Sequence, residues 1–252
     1  MQTHAALTTA PVILSLRTRH RQEMNCQIVH DSLHDRGGWT MTYALGVGDD
    51  LAGFGSVAIA GPWKGKPTIF EFYVLPIHRH RAFDLFEAFL DASGARLMEI
   101  QSNDTVVTMM LHAYARDVWS ERIVFADGIT TALPANGAVL RRLTSDRETQ
   151  MAIAERAGGP EWTVEIDGKP GGKGGILFHY NVPYGDVYME IDEPFRRRGF
   201  GAYLVQELKR RAYDLGSIPA ARCNTDNHPS RKTLQKAGLV PFAHILNGTI
   251  RG

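Results

Sequence analysis

Apolar and polar positions along the chain switch between helical and strand periods, and the order of these switches occurs twice. Residues 15–35 (SLRTRHRQEMNCQIVHDSLHD) carry Met24, Ile28 and Leu33 ahead of Gly37-Gly38, which predicts one amphipathic helix. Trp39–Val47 and Leu51–Ala60 are rich in β-formers and meet at Gly48-Asp49-Asp50, so they read as a hairpin. Thr68–Leu75 (TIFEFYVL) reads as a buried strand stopped by Pro76, and Ala82–Ser93 as a helix with Phe83, Leu85, Phe86 and Leu90 mostly on one side. Leu97–Gln101 then reads as a short strand and Asp104 as the cap of a helix running through His112. Ala138–Leu143 closes this first unit as a strand.

The second half repeats the order more tightly. Arg147–Ala157 reads as a short helix ended by Gly158-Gly159. Glu161–Ile166 and Gly175–Tyr180 form a hairpin across Asp167-Gly168, with the run Gly171-Gly172-Lys173-Gly174-Gly175 as a flexible loop before the return strand. Asp186–Ile191 is a strand. Gly201–Leu215 is a helix with Leu204, Leu208 and Ala212 at i, i+4 and i+8 and Gly216 at its end. Ala220–Asn224 is a strand, Pro229–Ala237 a helix and Val240–Ile250 a last strand. The expectation is an α+β fold with mixed α/β sheet. It has two units, 1–144 and 145–252, each a mostly antiparallel central sheet flanked by helices.

Composition narrows the chemistry. Hydrophobic residues make up 44%, and 28 Lys+Arg against 27 Asp+Glu leave a net charge of +1, so no general basic field draws the chain to nucleic acid or membrane. Two cysteines, Cys26 and Cys223, exclude a disulfide framework and a multi-cysteine zinc site. The N-terminus lacks a charged start and a long apolar core, and no run approaches the roughly 18 apolar residues of a membrane span, so the expected setting is the cytoplasm. His78 and His80 alternate with Arg79 and Arg81, which oppose a cation, and no metal is expected.

The segment Asp192-Glu193-Pro194-Phe195-Arg196-Arg197-Arg198-Gly199-Phe200-Gly201 lies between an apolar strand and an amphipathic helix. Glycines there let a backbone approach a ligand, and a helix start offers unpaired N–H groups, so the arrangement suits a phosphate or pyrophosphate. A dinucleotide fingerprint needs a third spaced glycine, and a P-loop needs Gly-Lys-Ser/Thr where Gly172-Lys173 is followed by Gly174.

Arg196-x-x-Gly199-x-Gly201 resembles the Q/R-x-x-G-x-G/A signature of the GNAT superfamily of acyl-CoA-dependent N-acyltransferases. Asn227, Ser230, Leu234 and Gly238-Leu239 resemble that family's second signature. The resemblance is specific over 161–250 and rests on element order alone over 15–143, so the whole looks like a tandem protein with a degenerate first half. It implies acetyl-CoA as co-substrate. The pyrophosphate would be held by backbone N–H groups from Arg197, Arg198, Gly199, Phe200, Gly201 and Ala202, after Arg196, with Ile191 pairing to the pantetheine arm and Asn227 bonding it from the far side. An N–H near Ile191 would face the acyl oxygen, and a primary amine of a small molecule or peptide would attack the thioester. The first-half loop Pro76–Ala82 has no glycine and is not expected to bind CoA in this way.

The departures affect catalysis. Leu234 stands where the family often has a tyrosine acid, and Arg222 where some members have a glutamate base. The residues themselves offer Glu190 or Asp186 as base and Tyr188 as acid, alternating along Asp186–Ile191, with Tyr180 and Tyr184 as weaker acids and Cys223 as a core thiol. The alternative is a CoA-binding or sensing module without catalysis, and a homodimer is compatible with the sequence.

Overall fold

The structure, a computed structural model, describes residues 1–251. The elements in chain order are β1 (Thr3–Thr8), α1 (Leu14–Met24), α2 (His30–His34), β2 (Thr40–Val47), β3 (Asp50–Ala58), β4 (Thr68–Val74), α3 (Ala82–Ser93), β5 (Leu97–Gln101) and α4 (Thr105–Tyr114). Then come β6 (Ala115–Asp127), β7 (Ala138–Arg142), α5 (Asp146–Glu155), β8 (Glu161–Ile166), β9 (Lys169–Leu177), β10 (Tyr184–Ile191), α6 (Phe200–Asp214), β11 (Ile218–Asn224), α7 (His228–Lys236) and β12 (Leu239–Ile250). The chain is thus a mixed α/β fold of mostly antiparallel strands, with seven α-helices among the described residues.

Two compact units divide it, and they are not the contiguous halves 1–144 and 145–252. Unit 1 comprises 1–26, 30–121 and 244–252; unit 2 comprises 27–29 and 122–243. Strand β6 therefore passes into unit 2 at Arg122, and β12 passes into unit 1 at His244. The strand over 138–142 pairs with β8, so it opens unit 2 rather than closing unit 1.

In unit 1 the sheet order is β1-β2-β3-β4-β5-β12, antiparallel except for β4 against β5. Phe72 and Val74 of β4 pack with Phe86 and Phe89 of α3, Phe72 and Phe86 in edge contact at 4.9 Å. The single helix expected over 15–35 is two helices. Asn25 takes a left-handed turn (φ 49) that ends α1, its N–H donating to Arg21 O, and Cys26 and Ile28 turn into the interior. Asp104 does cap α4, its side chain accepting from Val107 N–H.

Buried between α1, α2 and β4 is a polar cluster around Glu71, which is fully buried. Arg21 and His34 donate to its two oxygens, at 2.5 Å to Oε1 and 2.6 Å to Oε2 respectively. Burial alone would raise the Glu71 pKa, but Arg21 and then His34 outweigh it and hold the carboxyl well below its usual range. His30, with Nδ1 3.6 Å from Glu71 Oε1, is driven the other way: burial lowers its pKa from 6.5 to about 3, opposed by Glu71 and Asp31 and aided by Arg21 and His20. The unfolded chain therefore takes up a proton there that the folded chain refuses. Stability is expected to fall as pH drops from 6.5 toward 3, and in the window above 4.5 a His30→Gln variant should show a shallower decline in urea unfolding. An unchanged slope would refute this.

In unit 2 the order is β6-β11-β10-β9-β8-β7, antiparallel except for β10 against β11. Asp167 and Gly168, both left-handed (φ 52 and 76), make the tight turn between β8 and β9. The glycine run expected as a flexible loop is instead part of β9, pairing with β10 from Gly172 to Leu177. A Cβ at Gly174 would lie 2.6 Å from Tyr188 O, so side chains there would collide with the neighbouring strand. Leu204, Val205 and Leu208 of α6 are fully buried in this unit's core.

Candidate functional site

In both units the strand before the long helix runs parallel to the strand after it for only a few residues. In unit 2, β10 pairs with β11 over Tyr184–Asp186 and no further, while β11 continues against β6. Residues 187–191 of β10 therefore present one backbone edge with no strand on it, although β9 still pairs along the other edge. A strand edge of this kind accepts an extended, amide-bearing ligand arm.

The edge ends at the turn into α6. Arg196 Nε donates to Ile191 O at 2.8 Å and ties the turn to the strand end. Arg197 (φ 61) and Gly199 (φ 91) are both left-handed, and Gly199 is the residue before the first turn of α6. Two left-handed residues within three positions curl the backbone so that successive N–H groups point into one concavity. The first bond inside this helix start runs from Tyr203 N–H to Gly199 O, leaving the N–H groups of Phe200, Gly201 and Ala202 without an intrahelical partner. A Cβ on Gly199 would meet only Lys236 Nζ, at 3.9 Å, so its glycine serves the φ angle. Gly201 serves close packing instead, since a Cβ there would lie 3.2 Å from Thr233 Cγ2 of α7. The Arg198 guanidinium lies over Phe200 at 5.0 Å, and Asn227 caps α7 by accepting from Ser230 N–H. Donor N–H groups, a positive helix end and a nearby lysine suit a diphosphate, so the fold's ligand chemistry fits these residues.

The two faces of β10 differ. Met189 and Ile191 point toward α6, their side chains 3.6 Å from where a Gly201 Cβ would lie. Tyr188 points to the opposite face, crosses Gly175 of β9, and donates its hydroxyl to Glu161 Oε1 of β8. That phenol is shifted upward, first by burial and then by the Glu161 carboxylate. Its hydroxyl thus ends on the side of β10 away from β11. Glu190 is exposed and pairs in register with Lys173. Asp186 is buried, 3.1 Å from His179 Nε2 and 3.7 Å from Arg222 Nε, and Tyr180 lies beside it, its pKa pushed well up by burial and by Asp186. Cys223 is buried, its thiol shifted upward by burial. Leu234 is buried in the core. Glu161 was not among the sequence candidates; only the pairing of β8 with β9 and of β9 with β10 brings it to Tyr188.

Unit 1 repeats the frame without the cradle. Arg79 Nε donates to Val74 O at 3.1 Å, as Arg196 does to Ile191 O, each five residues past the acceptor. Aligned on that bond, Ala82 stands for Gly199 and Asp84 for Gly201. His80 and Ala82 (φ −59), which stand for the left-handed Arg197 and Gly199, are not left-handed. The Asp84 carboxylate, bonded to Arg81 Nε at 2.6 Å, sits in the first turn of α3, where an anion would otherwise go. The same alignment places Glu71 at Tyr188 and Tyr73 at Glu190.

Residues 133–239 match the model of the acetyltransferase (GNAT) family. A GNAT-family acetyltransferase from Colwellia psychrerythraea aligns over all of both chains with a TM-score of 0.70 at 13% identity. A GCN5-related N-acetyltransferase from Sphaerobacter thermophilus covers 99% of this chain and 96% of its own, with a TM-score of 0.61 at 16% identity. A tandem GNAT protein from the clavulanic acid biosynthesis pathway covers 98% of each chain, with a TM-score of 0.59 at 14% identity. The curated proteins give no significant match. Residues 133–239 are thus similar to the acetyltransferase (GNAT) family, and the fold of nearly the whole chain is similar to that of solved GNAT-family structures, one of them a tandem protein.

Proposed function

We propose that unit 2 transfers an acetyl group from acetyl-CoA to a primary amine of a small molecule or peptide in the cytoplasm. The observation that carries the reading is the meeting of two features: the unpaired edge of β10 beyond Asp186 and the left-handed turn at Arg197 and Gly199. The pyrophosphate would lie on the N–H groups from Arg197 to Ala202 and the pantetheine arm along 187–191, with Asn227 on its far side. An N–H near Ile191 would bond the acyl oxygen as it gains charge. The amine nitrogen attacks the thioester carbonyl carbon, the C–S bond breaks, and the amine proton leaves to a base while the thiolate takes one from an acid. Glu190 is the base and Tyr188 the acid in this scheme, Glu161 holding the Tyr188 hydroxyl.

Tyr188→Phe and Glu190→Gln are each expected to lower kcat about 10²- to 10⁴-fold while acetyl-CoA affinity stays unchanged. Wild-type turnover in both variants would remove these assignments. One observation favours a second reading, a CoA-binding or sensing module: Leu234 is buried and the Tyr188 hydroxyl faces Glu161 rather than β11. Acetyl-CoA binding without acetylation of any amine in a broad acceptor screen would support it. No helix among the described residues is long and apolar enough to cross a membrane.

A further inference from the structure

We propose that His20, Cys26 and Asp104 of unit 1 bind one divalent cation of the zinc type. One ligand atom from each lies within 4.8 Å of the others, and all three residues are buried. They come from three different places: α1, the turn that ends it, and the cap of α4. The left-handed Asn25 folds Cys26 back toward His20, and Asn103 Nδ2 donates to Met24 O, which holds the Asp104 turn against the Cys26 turn. A mixed sulfur, nitrogen and oxygen set is zinc-like, and it needs only one cysteine.

Charge points the same way. Arg17 and Arg21 face Asp31 and Glu71, while Asp104 has no arginine or lysine within ion-pair distance among the described residues. The partner of Asp104 is His20 Nε2 at 2.6 Å. Arg21, a donor only, approaches His20 Nδ1 at 3.1 Å, while Nε2 faces the Asp104 carboxylate. Around Asp104, then, a buried carboxylate meets an imidazole and a buried thiol. A divalent cation supplies the missing positive charge.

Binding forms metal–sulfur, metal–nitrogen and metal–oxygen bonds and releases one proton to solvent, from Cys26. With Nε2 on the metal the imidazole keeps its proton on Nδ1, which faces Glu71 Oε1 at 3.9 Å. A carboxylate behind a ligating histidine is the usual support of such a ligand. With bonds near 2.0–2.1 Å, the His20–Asp104 separation opens from 2.6 Å to about 3.3 Å.

Cobalt(II) titrated into the metal-free full chain tests this, with zinc competition and proton release followed in parallel. One equivalent should bind with a thiolate-to-cobalt charge-transfer band and tetrahedral d–d bands. Zinc should displace it, and about one proton should be released per ion. The bands should survive Cys223→Ser and vanish in Cys26→Ser. Should Cys26→Ser fail to fold, Cys223→Ser still decides, because it leaves Cys26 as the sole thiol. No band in the wild type, or a band lost with Cys223→Ser, overturns the site. None of these readouts depends on acetyl transfer.

Discussion

Titration of acetyl-CoA into the wild-type chain is expected to give about one site, and replacing Gly199 and Gly201 by aspartate should weaken binding at least about 100-fold. A carboxylate at Gly199, just ahead of the N–H groups of Phe200, Gly201 and Ala202, turns an attractive helix end into a repulsive one, and one at Gly201 adds negative charge to the same first turn. A side chain at Gly199 (φ 91) also carries the strain of the left-handed region, about 1–2 kcal/mol. Because a Cβ at Gly201 comes 3.2 Å from Thr233 Cγ2, the double variant also disturbs α7 packing. Gly199→Asp alone separates the effects, since that Cβ meets only Lys236 Nζ at 3.9 Å, and circular dichroism reports whether the fold persists. Unchanged affinity in the Gly199 variant would mean that the turn is not the cradle. A second site of similar affinity would overturn the silent unit 1 that its Arg81–Asp84 pair and the lack of left-handed residues at the turn into α3 support.

The Arg21→Met variant should lose about 3–5 kcal/mol of stability in urea unfolding at neutral pH. Glu71 is fully buried, and removing the guanidinium at 2.5 Å leaves its charge with His34 alone as a close partner. The sign of the pH effect is distinctive. In the wild type the lowered Glu71 pKa contributes stability above 4.5 that is lost as pH falls through the folded value. Without Arg21, burial dominates and raises that pKa, so the carboxyl protonates more readily and the deficit relative to wild type should shrink on acidification. Adding Glu71→Gln should recover part of the loss at neutral pH, because the stranded charge is gone. A loss below about 1 kcal/mol, or one that does not change with pH, would show that the pair is not coupled as the geometry implies.

Elements whose signal is local were legible in the sequence. The α6 stripe, the β8–β9 turn at Asp167-Gly168, the Asp104 cap and the run Thr68–Leu75 all follow from side-chain period and turn chemistry within a few residues. So did the turn at Gly199, because a positive φ at a helix start selects glycine wherever the rest of the chain lies. Strand β1 and the 13-residue β6 were not read. In β6 (ARDVWSERIVFAD) charged residues break the alternation. Its two parts join different units, and partners far away in sequence, not its own pattern, hold it extended. Asn25 is likewise an ordinary polar residue until its left-handed turn splits one predicted helix in two.

The sequence alone therefore determined the repeat of element order, the family signature and the backbone turn that suits a diphosphate, since each is written in neighbouring residues. Only the tertiary structure decided where the units divide, that the glycine run is strand, and that β10 loses its partner after Asp186. It alone brought Glu161 to Tyr188 and gathered His20, Cys26, Glu71 and Asp104 in one buried cluster. Those facts are distances between residues remote in the chain. They arise from pairing and burial, which local propensity does not encode.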